Sequence, residues 1–192
     1  GRTMRRDDLY GLPDDLPVPE DDGACDHLTG LTLPTVALPS TADGSIDLAA
    51  CPGRIVVYIY PRTGRPDQPS LVPDWNLIPG ARGCTPQSCA FRDHHGEFAA
   101  LGARVFGLST QSSEFQAELV ERLHLPFAVL SDHALEFTRA LQLPTFEAAG
   151  MTLIKRLTLI LRDGTVEKVF YPVFPPDGNA AQVIAWLGDN PA

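Results

Sequence analysis

The chain has 192 residues, 44% hydrophobic and 20% charged, with a formal net charge of −9, enough for one domain with a full core plus extensions. So acidic a balance argues against nucleic acid or an anionic membrane as the main partner, and no apolar stretch reaches the ~18 residues a membrane span needs. Residues 1–22 mix Arg, Asp and Pro and lack the apolar centre of a secretion signal; the four cysteines are too few to staple a chain this long, so a reducing, cytoplasmic setting is expected, where cysteine pairs are usually catalytic or metal-binding.

Residues 5–40 are rich in Asp and Pro without a lasting period, which predicts an extended arm over the domain. Asp43-Gly44 reads as a turn into a short strand around Ser45–Leu48. Ile55-Val56-Val57-Tyr58-Ile59-Tyr60 is a continuous apolar run of strand length, typical of a central strand covered on both faces, and Pro61 ends it. The loop 61–83 carries five prolines and Trp75; a loop this long is a functional lid or a tolerated surface insertion. Thr85-Pro86 reads as the N-cap and first residue of a helix running to about Leu101, with Phe91, His94 or His95, and Phe98 along one face. Strands are expected near Val105–Leu108 and Phe127–Leu130, and helices near Ser113–His124 and His133–Leu141. Met151–Leu161 and Val166–Tyr171 are expected to be joined as a hairpin through Asp163-Gly164, and a last helix covers about Ala180–Leu187. This order predicts one α/β domain with a central mixed β-sheet flanked by helices, parallel crossovers first and an antiparallel hairpin last.

Cys84 and Cys89 stand five residues apart where that first helix opens. A helix N-terminus carries about half a positive charge and unpaired N–H groups, which stabilise a thiolate. A cation nearby can bring a thiol from about 8.5 to about 6, a gain of only about 30-fold that is partly offset by lower nucleophilicity. Peroxide chemistry therefore also needs donors aimed at the departing oxygen. Arg156 is the candidate cation: it sits in the otherwise apolar run Thr152–Leu161, cannot lose its charge and offers five fixed donors. The alternative for it is the water-exposed end of a strand. Cys89 fits a resolving thiol, which would condense with a sulfenic acid on Cys84. In an ideal helix the two Cα atoms are roughly 8–9 Å apart, beyond the ~7 Å limit for a disulfide, so the first turn must unwind. Cys25 and Cys51 have no activating neighbour and are read as incidental, with an auxiliary disulfide as the alternative. His94, His95, His124 and His133 need no catalytic role.

Together these residues resemble the peroxiredoxins, closest to the peroxiredoxin Q (bacterioferritin comigratory protein) branch, an AhpC/TSA-like group. The resemblance is carried by Tyr60-Pro61, Gly83-Cys84-Thr85, Gln87, Cys89 and Phe91-Arg92-Asp93. Gly107-Leu108-Ser109, Leu130-Ser131-Asp132 and the strand from Arg156 to Asp163-Gly164 support it. It implies a thioredoxin-like fold over 30–192 behind an arm of 1–29. It also implies an antioxidant thiol peroxidase reducing hydrogen peroxide and organic hydroperoxides, with Cys84 peroxidatic, Cys89 resolving through an intramolecular disulfide, and Arg156 activating. Thioredoxin or a similar dithiol is implied as reductant. No cofactor, metal, nucleic acid or membrane is expected, and the chain would be a monomer or homodimer. One departure matters: where the family usually has a proline and a Thr or Ser ahead of the peroxidatic cysteine, this chain has Leu77 and Ala81. Thr63 or Thr85 is then expected to supply the hydroxyl, and Pro61 or Pro79 the proline.

Two readings from other classes compete. Cys84, Cys89, His94 and His95 offer metal-ligand chemistry, but on a continuous helix their side chains would not converge. A thioredoxin-type disulfide oxidoreductase would use Cys-x-x-Cys, and the spacing here is longer. A redox sensor on the same fold is the non-enzymatic alternative.

Overall fold

The computed structural model describes residues 8–192; the first seven residues of the expected arm lie outside them. From Asp8 to Ala37 the chain forms turns and extended stretches without a helix or paired strand longer than one bridge. Strands β1 (Leu38–Pro39) and β2 (Ser45–Ile46) pair antiparallel around the Asp43-Gly44 turn. Then follow β3 (Arg54–Ile59), the long proline loop with one 3-10 turn at Trp75–Leu77, and helices α1 (Cys84–Asp93) and α2 (His95–Ala100). Next come β4 (Ala103–Ser109), α3 (Ser113–Leu123), β5 (Val129–Ser131) and α4 (Glu136–Leu141). Strands β6 (Thr145–Ala148), β7 (Met151–Ile154), β8 (Leu157–Arg162) and β9 (Thr165–Phe170) precede the closing helix α5 (Asn179–Asp189).

The main sheet has the order β5-β4-β3-β8-β9, with β3 and β4 parallel, β4 and β5 parallel, and β8 antiparallel to both β3 and β9. This is the thioredoxin-like mixed sheet, with helices on its faces. Every residue of the central strand β3 is buried, and the two-residue period of a strand splits them between two cores. Ile55, Val57 and Ile59 pack with Leu108, Leu159, Phe137 and the arm's Leu28 and Leu33. Val56, Tyr58 and Tyr60 pack on the other face with Cys84, Phe91, Phe98, Leu119 and Val183. On that second face Tyr58 stacks on Phe91 at 4.5 Å and 7°, and Phe91 stacks on Phe98 at 5.4 Å. Gly107 permits this arrangement: a Cβ there would stand 2.9 Å from the Tyr58 ring. Tyr58 OH then donates to Ser88 Oγ at 3.0 Å, fixing the first half of α1 against the sheet.

Three expectations are corrected. The helix expected to run unbroken to Leu101 breaks at His94, where ψ is 9° and the chain turns into α2; Gly96 follows immediately, a residue that weakens any helix continuing through it. The helix also begins two residues earlier than expected, at Cys84 after an N-cap Gly83, so Thr85 and Pro86 lie inside its first turn. The strand expected over Met151–Leu161 is two strands. β7 pairs with β6 in a separate hairpin, β8 joins the main sheet, and Lys155-Arg156 forms the step between them. Lys155 N–H donates to Pro144 O at 2.8 Å, turning the chain there. Among the described residues, no helix is long and apolar enough to cross a membrane.

Candidate active site

The loop after β3 returns the chain to the sheet edge at Gly80-Ala81-Arg82-Gly83, where α1 begins. Gly83 adopts φ 111°, a left-handed region that favours glycine. A Cβ at Gly83 would also fall 2.7 Å from Pro176 Cγ and 3.0 Å from Leu12 Cδ2. Only a residue without a side chain fits that turn. Its consequence is that Cys84 becomes the first helical residue, buried at 3% exposure, at the positive end of α1.

Arg156, on the step between β7 and β8, reaches this point from 72 residues away and is itself buried. Its Nη2 donates to Cys84 Sγ at 3.1 Å, and also to the carbonyls of Ala81 at 3.1 Å and Arg82 at 3.2 Å. Nε donates to Gly80 O at 3.3 Å, and Nη1 to Gln87 Oε1 at 2.5 Å. Every nitrogen of the guanidinium therefore has an acceptor and the group is held in one orientation, with Nη2 shared between the sulfur and two carbonyls. Gln87 is locked in turn: its Nε2 donates to Asn179 Oδ1 at 3.1 Å, which also accepts from Thr158 Oγ1 at 2.7 Å. The step out of the strand is what lets a charged residue sit in an otherwise apolar run, and the exposed alternative for Arg156 does not hold.

Beside Cys84 lies a cavity of about 220 Å³. Thr63, Thr85, Arg62, Arg65, Leu71 and Trp75 are among its walls, together with Phe115 and Leu9. The proline loop is thus a wall of the site rather than a remote insertion. Both threonines expected to supply the hydroxyl line this cavity. Thr63 is fixed by Gln111, which accepts from Thr63 N at 3.0 Å and Thr63 Oγ1 at 3.1 Å and donates to Thr63 O at 3.1 Å. Pro79 instead lines a second cavity, behind Arg156, and Pro61 lines neither.

Cys89 is half-buried on the same helix, packed against the core that holds Cys84. Burial pushes its thiol up; Arg92 and Arg122 oppose the shift and Asp93 adds to it. All four cysteines are free. With α1 wound through both positions, the roughly 8–9 Å helical separation of i and i+5 applies, so the expected 84–89 disulfide is absent from this conformation. Burial and the carboxylates of Asp22, Asp21 and Asp26 push the Cys25 thiol up to about 12. Cys51 donates to Asp47 O at 3.5 Å. His94 Nδ1 lies 2.7 Å from Glu97 Oε1, and among the described residues no group of three or more His, Cys, Asp or Glu is disposed to hold a metal. Residues that sequence reasoning did not single out are Arg82, Asn179, Gln111 and Leu9; none carries a local signal, because each acts across the fold.

The Redoxin family model matches residues 28–184. The chloroplastic peroxiredoxin Q of Sedum lineare is 31% identical over 160 residues, covering 82% of this chain and 76% of that protein. Its counterpart from Oryza sativa subsp. japonica is 29% identical, and there the chain spans 65% of the relative's length. Among solved structures, the peroxidoxin BcpB of Mycobacterium tuberculosis matches with a TM-score of 0.70 and 26% identity over 86% of this chain and 100% of that one. The peroxiredoxin Q of Xanthomonas campestris shares the fold with a TM-score of 0.65 at 22% identity, over 92% of this chain and 97% of that one. These relatives correct the expected cytoplasmic setting, since the curated peroxiredoxin Q proteins it matches are chloroplastic. Cysteine usage separates reducing from oxidising surroundings and carries no signal for which reducing compartment holds a protein. A buried thiol and guanidinium in contact at a helix N-terminus, on this sheet and with these relatives, mark an oxidoreductase of the peroxidase type, and the chain belongs to the Redoxin family on its peroxiredoxin Q branch.

Proposed function

We propose that the chain is a two-cysteine peroxidase that reduces hydrogen peroxide and organic hydroperoxides through Cys84, with Cys89 as resolving thiol and Arg156 as activating residue. The observation that carries this reading is the 3.1 Å contact between Arg156 Nη2 and Cys84 Sγ at the start of α1. In the first step the Cys84 thiolate attacks the terminal oxygen of the hydroperoxide. An S–O bond forms and the O–O bond breaks; sulfur loses two electrons, and the departing alkoxide or hydroxide takes a proton to leave as alcohol or water. Preorganised donors at the departing oxygen are worth ~10²–10³ in rate each, and the guanidinium beside the sulfur and the hydroxyl of Thr85, a residue of the cavity wall, are the groups available for that task.

In the second step the Cys89 thiolate attacks the Cys84 sulfenic sulfur, forming an S–S bond and breaking the S–O bond; the expelled hydroxide takes up the proton given up by the Cys89 thiol and leaves as water. For this the first turn of α1 must open, because the helical separation exceeds the ~7 Å limit for a disulfide. A dithiol of the thioredoxin type then returns both sulfurs to thiols by exchange.

The test is stopped-flow oxidation by hydrogen peroxide followed by mass spectrometry. A bridge between residues 84 and 89, its loss in Cys89→Ser with one retained oxidation of Cys84, and no turnover in Cys84→Ser are expected. Oxidised protein without an 84–89 bridge would remove Cys89 from the mechanism while leaving Cys84 in place.

A further inference from the structure

Residues 8–27 precede the region matched by the Redoxin model, which starts at residue 28, yet they reach the cavity beside Cys84. The segment Asp8–Leu12 is turned by a bond from Tyr10 N–H to Asp8 Oδ1 at 2.9 Å. It is anchored by Arg82, a buried arginine two residues before Cys84. Arg82 Nη2 donates to the carbonyls of Asp8 and Gly11, the latter at 3.2 Å, and Nη1 donates to Asn76 Oδ1 at 3.3 Å. The arm is thus fastened to the same short segment whose carbonyls hold Arg156. Leu12 touches Gly83, and Leu9, only 7% exposed, turns into the cavity wall opposite Trp75, Leu71 and Phe115.

That cavity is large for the smallest peroxide, and beside the polar wall of Arg62, Arg65, Thr63 and Thr85 it has an apolar part that Leu9 completes. Its volume of about 220 Å³ is several times the ~30 Å³ a water occupies in the liquid, and hydrogen peroxide is of that scale and wholly polar. A hydroperoxide with an alkyl or aryl group, by contrast, would cover Leu9, Leu71 and Trp75 and remove their surfaces from water, while Arg65 stacks over Phe115 at 4.4 Å. We propose that the N-terminal arm is part of the substrate-binding site, and that Leu9, held in place by Arg82, sets a preference for hydroperoxides bearing an apolar organic group over hydrogen peroxide. The inference rests on the reading of Cys84 as the peroxide-reducing thiol.

The experiment compares the full chain with Leu9→Ala, using dithiothreitol as reductant, and measures kcat/KM for cumene hydroperoxide and for hydrogen peroxide. The expected result is a fall of about ten-fold in the ratio of the two, the scale of losing one or two methylene contacts in an apolar pocket. A ratio unchanged within about two-fold overturns the proposal whatever happens to the separate rates, because a merely structural arm would lower both alike. Should Leu9→Ala loosen the arm, Leu9→Phe keeps the apolar burial and narrows the cavity. It is expected to lower the ratio of cumene to tert-butyl hydroperoxide kcat/KM several-fold, and an equal effect on both overturns the proposal. If the unaltered chain reduces neither peroxide, the reading of Cys84 fails instead, and the arm's role with it.

Discussion

Arg156 Nη2 donates to Cys84 Sγ at 3.1 Å while the same guanidinium holds Gly80, Ala81, Arg82 and Gln87. One side chain therefore does two things: it places a permanent charge on the sulfur and knots together the loop that delivers the sulfur. As the proposed activating residue, it should be expensive to remove on both counts. Arg156→Met is expected to slow the peroxide step by ~10²–10³. It should also lower stability by a few kcal/mol, since several buried carbonyls lose their donor at about 1–3 kcal/mol each. Stopped-flow oxidation and urea unfolding of the same variant separate the two effects. A stability loss with an unaltered oxidation rate would sink the activating role.

Gly83→Ala tests whether position, as well as charge, matters. Its φ of 111° costs an alanine about 1–2 kcal/mol, and the added Cβ meets Pro176 Cγ at 2.7 Å. Relief of that clash must displace either Pro176 or the start of α1. Misplacement of a reacting group by about 1 Å can cost ~10²-fold in rate, so kcat/KM is expected to fall at least ten-fold while thermal unfolding remains cooperative. An active Gly83→Ala would mean that the turn tolerates a side chain and that Cys84 needs no such exact seat.

The contrast between the two halves of the site explains what could be read from residue order. Cys84, Cys89 and the helix they open are local: a thiol, a first-turn proline and an apolar face within ten residues announce themselves. The run Ile55–Tyr60 is equally plain, because a strand buried on both faces must be continuously apolar. Arg156 drew attention as a charge in an apolar run, but the run hid a change of sheet. Thr152–Leu161 looks the same whether it is one strand or two, and the pairing of β7 with β6 depends on Thr145–Ala148, where the alternation of polar and apolar side chains lasts only four residues and is too short to stand out. What surrounds the guanidinium was illegible for a plainer reason. Gly80 and Gln87 lie some seventy residues before Arg156, and Asn179, which holds Gln87 in place, lies beyond it; only the closed fold brings them to one cation.

Cys25 makes a separate, signed prediction. Its thiol is pushed from an ordinary 9.0 to about 12 by burial and by Asp22, Asp21 and Asp26. An unfolded chain releases that proton near 9, and the folded one only near 12. Between those values the native state binds more protons, so the contribution to stability is complete below pH 9 and is lost as pH rises toward 12. Cys25→Ser should remove about 1.4 kcal/mol per pH unit from the alkaline slope of stability in that window. Urea unfolding at several alkaline pH values checks it, and parallel curves for the two proteins would count against it. The same burial keeps Cys25 a poor nucleophile, so it should not stand in for Cys89.

As the proposed resolving thiol, Cys89 is expected to set the pH dependence of turnover. Its thiol is raised by burial, with Arg92 and Arg122 only partly offsetting the cost, and thiolate is the attacking form in disulfide formation. While α1 stays wound, burial therefore keeps the thiolate fraction below that of an ordinary cysteine. Disulfide formation after the peroxide step is expected to accelerate as pH rises from 6 to 9, approaching about ten-fold per unit. Trp75, in the cavity wall beside Cys84, provides a fluorescence signal for the two steps. Two outcomes are informative. A steep rise places ionisation of Cys89 before or during the rate-limiting event. A rate of bridge formation that does not change with pH would show that opening of the first turn limits the step, with the proton lost only afterwards, and would reject Cys89 ionisation as the control.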